Sequence, residues 1–318
     1  MDIELVARGF LVELRGKRSQ VQWSRRLGYR SNVAYAWESG RRWPTAAEML
    51  RAAARSGIDV TAALVRFYGS RPPWLTDDPT TPEAAAALLD DLRGRAPVAE
   101  LARRAGVSRY GLTRWLSGQT QPRLVDFFRV IESATLRLVD FVACFVDPEA
   151  IPPLAEPWRR LVARRKGAAQ HPWTQAILRA LELEDYRALP AHRPGWVAER
   201  LGIPLEVEDA GLTFLIDTGQ LAFTGSHWAP SPLMVDTAMT PDVGIALKTH
   251  WTEVAAAKLR AGAPGQYSYN VFVTSREDLE RIRELHLGYF RALRAVVAAS
   301  DRAEVVAVVN VQLIPLGD

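Results

Sequence analysis

Over the first 150 residues, apolar positions recur with helical spacing in short runs that glycine or proline closes. Between 19 and 28, Val21, Trp23 and Leu27 are spaced for one helical face, with Ser19 as a candidate N-cap and Gly28 as a C-terminal stop. A turn through Tyr29 and Arg30 follows. Arg30 or Ser31 then opens a second short helix that would bury Val33, Ala34 and Trp37 and end at Gly40. Pro44 breaks the chain before a third helix over 45–56. The order returns further on: Val98, Leu101 and Ala105 share a face, Gly106 stops the helix, Ser108 caps the next, and Leu112 and Trp115 line its inner side. Two short helices joined by a tight glycine-containing turn make a helix-turn-helix.

The recurrence is a repeat without gaps. WESGRRWP at 37–44 and WLSGQTQP at 115–122 share W-x-S-G-x-x-x-P at an offset of 78 residues. Sliding 19–68 by that offset places Gly28 on Gly106, Trp37 on Trp115, Ser39-Gly40 on Ser117-Gly118 and Pro44 on Pro122. Leu50 falls on Phe128, Ile58 on Leu136, Val60 on Leu138 and Phe67 on Phe145, so both copies are expected to bury the same faces.

The second half has a different rhythm. The stretch 147–170 is proline-rich and then basic, which predicts a connection with one short helix. HPWTQAILRALEL, PGWVAERLGI and PLEVEDAGLTFLIDTGQLAF predict three helices, and TGSHWAPS a turn-rich wing, the order of a winged helix. Where its recognition helix would start stands Leu205-Glu206-Val207-Glu208-Asp209; these acids would repel phosphates, so the module is expected to be structural or to contact protein. A helix over about 241–261 precedes a strand, YSYNVFVTS, then an amphipathic helix with Leu279, Ile282, Leu285, Phe290 and Leu293 as one stripe, then the strand EVVAVVNVQLIPL. The expected fold class is mainly α and multi-domain: two helix-turn-helix bundles at 1–72 and 80–147, a linker with one helix at 148–170, a winged-helix-like module at 171–232, and a small α/β domain for dimerisation or sensing at 233–318.

Composition narrows the function classes. With 48% hydrophobic and 24% charged residues the chain reads as globular rather than disordered, and no apolar run approaches the ~20 residues of a membrane helix. MDIELVARGF has an acidic pair where a basic leader would be, so a cytoplasmic protein without membrane association is expected. One cysteine, Cys144, excludes an intrachain disulfide and a cysteine metal site; in VDFVACFV it reads as inert core. His250 and Glu253 form H-x-x-E and His227 lies near Asp236, but a third ligand at metal spacing is missing. G-x-S-x-G, P-loop and G-x-G-x-x-G patterns are absent, and neither enzyme activity nor a cofactor is expected. Charge adds a direction: residues 1–150 hold 22 basic against 17 acidic side chains, and the rest 18 against 19. The basic excess lies in the half that carries the repeat, which suits a polyanionic partner and equally a solvated arginine-rich surface.

The residues of the repeat carry a resemblance. SQVQWSRRLGYRSNVAYAWESGRRWP is similar to the Xre, or lambda-repressor-like, DNA-binding family, with Ser19, Gln20, Leu27-Gly28, Glu38, Gly40 and Pro44 at that family's positions. VAELARRAGVSRYGLTRWLSGQTQP keeps the A-G-V-S turn and S-G-x-x-x-P but has Val98 for the family's Gln and Leu116 for its Glu. The ending VVAVVNVQLIPL, with WVAERLG and the amphipathic helix, resembles the C-terminal domain of the DUF4423 family, which is commonly joined to a helix-turn-helix and implies a regulator without naming a ligand.

The resemblance implies double-stranded DNA as partner, with base edges read from the start of each recognition helix. In the first copy Arg30, Ser31, Asn32 and Tyr35 hold those positions; in the second, Ser108, Arg109, Tyr110, Thr113 and Arg114. Arg and Asn are side chains that pair bidentately with guanine and adenine edges. Gln20 matches a family position that touches the sugar-phosphate backbone, and Arg41, Arg42 and Arg123 suit phosphates. Trp37 and Trp115 are expected in the core, and Arg25, Arg26, Arg103 and Arg104 solvated or paired with neighbours such as Glu100. The function expected is a sequence-specific transcription regulator, repression favoured, acting as a homodimer, with a small-molecule or protein effector at the C-terminal domain. Two other readings stay open: an antitoxin-like or phage-defence interaction module, and an enzyme with an unrecognised site.

Overall fold

Five helices fold in the same order twice. The computed structural model describes residues 1–231 and 240–316. In the first run α1 (Ile3–Arg15), α2 (Gln20–Arg26), α3 (Val33–Glu38), α4 (Ala46–Ser56) and α5 (Val60–Tyr68) follow one another. In the second, α6 (Pro82–Arg93), α7 (Val98–Ala105), α8 (Arg109–Leu116), α9 (Leu124–Thr135) and α10 (Leu138–Ala143) stand at the same positions 78 residues on. The repeat therefore extends beyond the aligned stretch to the leading helices α1 and α6.

Caps set these boundaries. Ser19 and Thr45 each close a capping box, with Gln22 and Glu48 reaching back to the cap backbone. Asp2, Asp59, Thr81 and Ser108 cap α1, α5, α6 and α8. Gly40 and Gly118 follow α3 and α8 at φ +73° and +74°, a left-handed conformation that an L side chain would strain, which is why both copies spell S-G.

The two copies share one core. Phe10 of α1 meets Phe128 of α9 edge-on at 5.4 Å and Phe145 at 6.1 Å, while Phe67 of α5 meets Phe141 of α10 at 5.5 Å. Buried apolar side chains from Val6 to Leu154 form a single cluster. Separate domains at 1–72 and 80–147 were expected; helices of this length leave each copy's apolar surface partly uncovered, and pairing the copies buries it. Val21 is a second departure. It is exposed, because two residues along a helix turn it away from Trp23, and Ser24 takes the inward place beside Trp23 and Leu27.

The described residues divide into two compact units, 1–162 and 163–231 with 240–316. The boundary falls within α11 (Pro152–Gln170), a 19-residue helix where a connection with one short helix was expected. The second unit continues with α12 (Thr174–Ala180), α13 (Glu184–Arg187), α14 (Trp196–Leu201) and α15 (Leu205–Asp217), then an antiparallel hairpin, β1 (Leu221–Phe223) and β2 (Trp228–Pro230), at the place of the wing. Ile177, Tyr186, Val197 and Leu215 centre its core. Two longer helices follow, α16 (Pro241–Arg260) and α17 (Arg276–Ala298).

The fold is mainly α, and among the described residues the hairpin is the only sheet. The strands expected at 267–275 and 304–316 carry no ladder. Tyr269, Val273 and Val305 stand exposed, and the closing segment is held by side chains, Asn310 and Gln312 donating to the Thr252 hydroxyl at 2.9 and 2.7 Å. Alternation gives a segment its two faces but not a partner edge, so among the described residues the expected small α/β domain has no sheet. Along α17, Leu279, Ile282, Phe290 and Leu293 are half-buried as expected, whereas Leu285 is exposed, ~100° round the helix from the middle of that stripe. The 232/233 boundary and Asp236 lie outside the described residues.

Candidate nucleic-acid interface

In the first copy a buried serine locks the helix pair. The Ser24 hydroxyl donates to the Gln20 carbonyl at 2.8 Å and accepts from the Ala34 amide at 3.0 Å, seating the start of α3 on α2. Trp37 is buried, edge-on to Trp23 at 5.9 Å and to Tyr29 at 5.8 Å, as expected of a core residue. Glu38 accepts from Arg15 at 2.6 Å and from the Gln20 amide at 2.7 Å, so Gln20 spends one donor inside the protein. Asn32, and not Arg30 or Ser31, caps α3: its Oδ1 accepts from the Tyr35 amide at 3.3 Å.

In the second copy Ser108 caps α8 through the Gly111 amide at 2.9 Å. Leu112 is buried and Trp115 half-buried against the core. Val98 and Leu116, at the positions of Gln20 and Glu38, also pack against it, so an apolar pair replaces a polar one. Arg103 and Arg104 pair with Glu100 at 2.7 and 3.8 Å. The Thr113 hydroxyl donates to the Arg109 carbonyl at 3.0 Å. Arg123 donates to the Trp43 carbonyl at 3.1 Å and lies 3.9 Å from Glu48, which ties it to the other copy.

What remains outside is arginine-rich. Arg30, Ser31, Asn32, Tyr35, Arg41 and Arg42 are exposed in one copy, and Ser108, Arg109, Tyr110 and Thr113 in the other, with Arg114 half-buried. Arg41 lies over the Tyr35 ring at 5.2 Å and Arg114 over Tyr110 at 5.6 Å, an arrangement that holds each guanidinium beside an exposed aromatic face. Among the described residues the side chains of Arg30, Arg42 and Arg109 have no hydrogen-bond or ion-pair partner. Residues 29–44 include one acid, Glu38, already engaged by Arg15, and 107–123 include none. Each surface therefore keeps arginines without an ion-pair partner, although Glu48 stands beside Arg123.

One acid of the second unit turns inward, while its neighbours Glu206 and Asp209 stay exposed. Glu208 is fully buried and accepts from the amides of Gly195 at 3.1 Å and Ala198 at 2.5 Å, so it caps α14 from the neighbouring helix. The acidic start of α15 was expected in a structural or protein-contacting module; Glu208 supplies the acceptor that Gly195, the backbone cap of α14, lacks. Burial lowers the His192 imidazole below its usual range, partly offset by Glu208. Burial also raises the Cys144 thiol, as in an inert core position. Among the described residues no three His, Cys, Asp or Glu side chains converge as a metal would need. A cavity of about 430 Å³ lies between Trp173, Trp251, Arg179, Arg200, Lys258 and Val306, with indole walls and a cationic rim. Nothing in the linear order of 173, 251 and 306 announced it, because three distant segments build it.

Residues 154–316, just over half of the chain, match the family model described as Domain of unknown function (DUF4423). The chain belongs to this family. No curated protein and no solved structure matches it significantly. The DUF4423 match begins within α11 and takes in the second unit, while both five-helix repeats precede it. No described helix is long and apolar enough to cross a membrane.

Proposed function

We propose that this DUF4423 protein is a sequence-specific DNA-binding transcription regulator, a repressor by preference, that reads duplex DNA with two Xre-like helix-turn-helix pairs, α2–α3 and α7–α8. The observation that carries this reading is that both pairs present exposed, partnerless arginines, Arg30 and Arg109, together with an arginine stacked on an exposed tyrosine. Arginine near the start of such a helix suits guanine edges, and Arg41 and Arg42, which follow α3, suit phosphates. The cavity of the second unit is the proposed effector site, for a molecule with a flat apolar body whose anionic group Lys258 would meet, Arg179 and Arg200 being paired with Glu182 and Asp185.

The test is binding of the full chain to genomic duplex fragments across a salt series. A regulator of this kind selects a few fragments and loses affinity steeply as salt rises. A chain that binds no duplex at low salt overturns the reading and moves the function to an interaction module, a role favoured by the exposed apolar side chains Val271, Val273, Val305 and Leu316.

A further inference from the structure

We infer that a single chain carries both halves of a symmetric DNA reader: the two helix-turn-helix pairs are related by an internal pseudo-two-fold axis, and one chain occupies an inverted pair of non-identical half-sites. This rests on the DNA-binding reading above.

The axis follows from contacts between equivalent positions. Thr45 and Arg123, the same residue of the two copies, form an isolated antiparallel bridge. On either side of it the bonds are reciprocal: the Ala46 amide donates to the Pro122 carbonyl at 3.0 Å, and the Leu124 amide, its equivalent, donates to the Pro44 carbonyl at 2.8 Å. A second self-equivalent contact joins the Arg66 guanidinium to the Cys144 carbonyl. Helix contacts are exchanged in the same way, α1 packing on α9 and α6 on α4. When residue i meets j and the equivalent of j meets the equivalent of i, the operation is a two-fold.

The two self-equivalent contacts give the axis a direction, from the 45/123 pair to the 66/144 pair. Six residues separate the end of α3 from Thr45, and six separate the end of α8 from Arg123, so both reading helices are tethered toward the same end of the axis. A stretch of that length spans at most ~25 Å, which suits adjacent major-groove faces one turn, ~34 Å, apart. A two-fold sets its heads antiparallel, as inverted half-sites require and direct repeats do not. The two-fold holds for the frame but not for the reading positions. Arg30, Ser31, Asn32 and Tyr35 correspond to Ser108, Arg109, Tyr110 and Thr113, so the two half-sites differ in sequence. The homodimer expected from sequence is thus not needed to supply a second reading head.

The experiment uses the full chain, its duplex selected from a random pool, and base-by-base interference footprints of the parent, Arg30→Ala and Arg109→Ala. The result expected is two inverted half-sites centred about one turn apart, one chain per duplex, with Arg30→Ala losing ~10-fold or more of its preference at one half-site only and Arg109→Ala at the other. Equal effects of Arg30→Ala on both halves, with Arg109→Ala silent, mean two chains each using one head and overturn the internal two-fold while leaving DNA binding intact. Directly repeated half-sites overturn it as well. Failure to select any duplex removes this inference together with the DNA-binding reading.

Discussion

Thr45 and Arg123 bridge one another although they are the same residue of two copies, 78 positions apart. Pro44 and Pro122 lie beside them and offer their carbonyls across the pairing, so the proline of the W-x-S-G-x-x-x-P pattern marks where the copies join as well as where each reading helix has ended.

Residues 1–154 share one core and are expected to unfold in one cooperative step. Phe128→Ala, which removes the ring facing Phe10 of the other copy, should lower the stability of both copies together by about 3–5 kcal/mol. Urea unfolding followed by tryptophan fluorescence of Trp23 and Trp37 in one copy and Trp115 in the other checks this. Two separable transitions within this unit would contradict the shared core.

The polar clasp of the first copy is expected to be replaceable only as a set. Glu38→Leu leaves Gln20 and Arg15 without their acceptor and should cost about 1–3 kcal/mol. Adding Gln20→Val rebuilds the pair that the second copy uses, Val98 with Leu116, and should recover part of the loss. A double-mutant cycle measures the coupling, and strictly additive effects would mean that the two positions do not act together.

Asn32 and Arg30 should separate stability from binding. Asn32→Ala removes the cap of α3 and should cost about 1 kcal/mol in thermal unfolding. Arg30→Ala, exposed and partnerless, should leave unfolding unchanged and weaken binding to selected duplex. If Arg30→Ala changed stability as much as Asn32→Ala, the arginine would be a structural residue.

Stability of the second unit should fall as pH drops through ~6.5, where the unfolded chain takes up protons at ordinary histidines. Burial lowers both His192 and His250, so the folded state keeps these rings neutral and binds fewer protons than the unfolded state in that window. Urea midpoints at pH 7.5 and 5.5 should differ in the parent, with the difference reduced in His192→Gln. A midpoint independent of pH in the parent would show that these rings protonate in the folded state.

What sequence by itself determined lies within short reach along the chain. Ser19, Thr45 and Ser108 bond amides three residues away, Gly40 and Gly118 need only their own φ, and apolar spacing tells Trp37 and Leu112 which way is inward; the repeat and its inner faces were legible for that reason. Even at this range Val21 and Leu285 were assigned to inner faces from which helical geometry turns them. What tertiary structure decided depends on partners that linear order does not name. The clasp of Glu38 on Gln20, the cap that Glu208 lends to α14, the unpaired segments at 267–275 and 304–316, and the fusion of two copies about Thr45 and Arg123 are of this kind. A cap or a turn is settled by a few dihedral angles, whereas these contacts form only when loop closure brings distant surfaces together and buried area offsets the chain entropy lost.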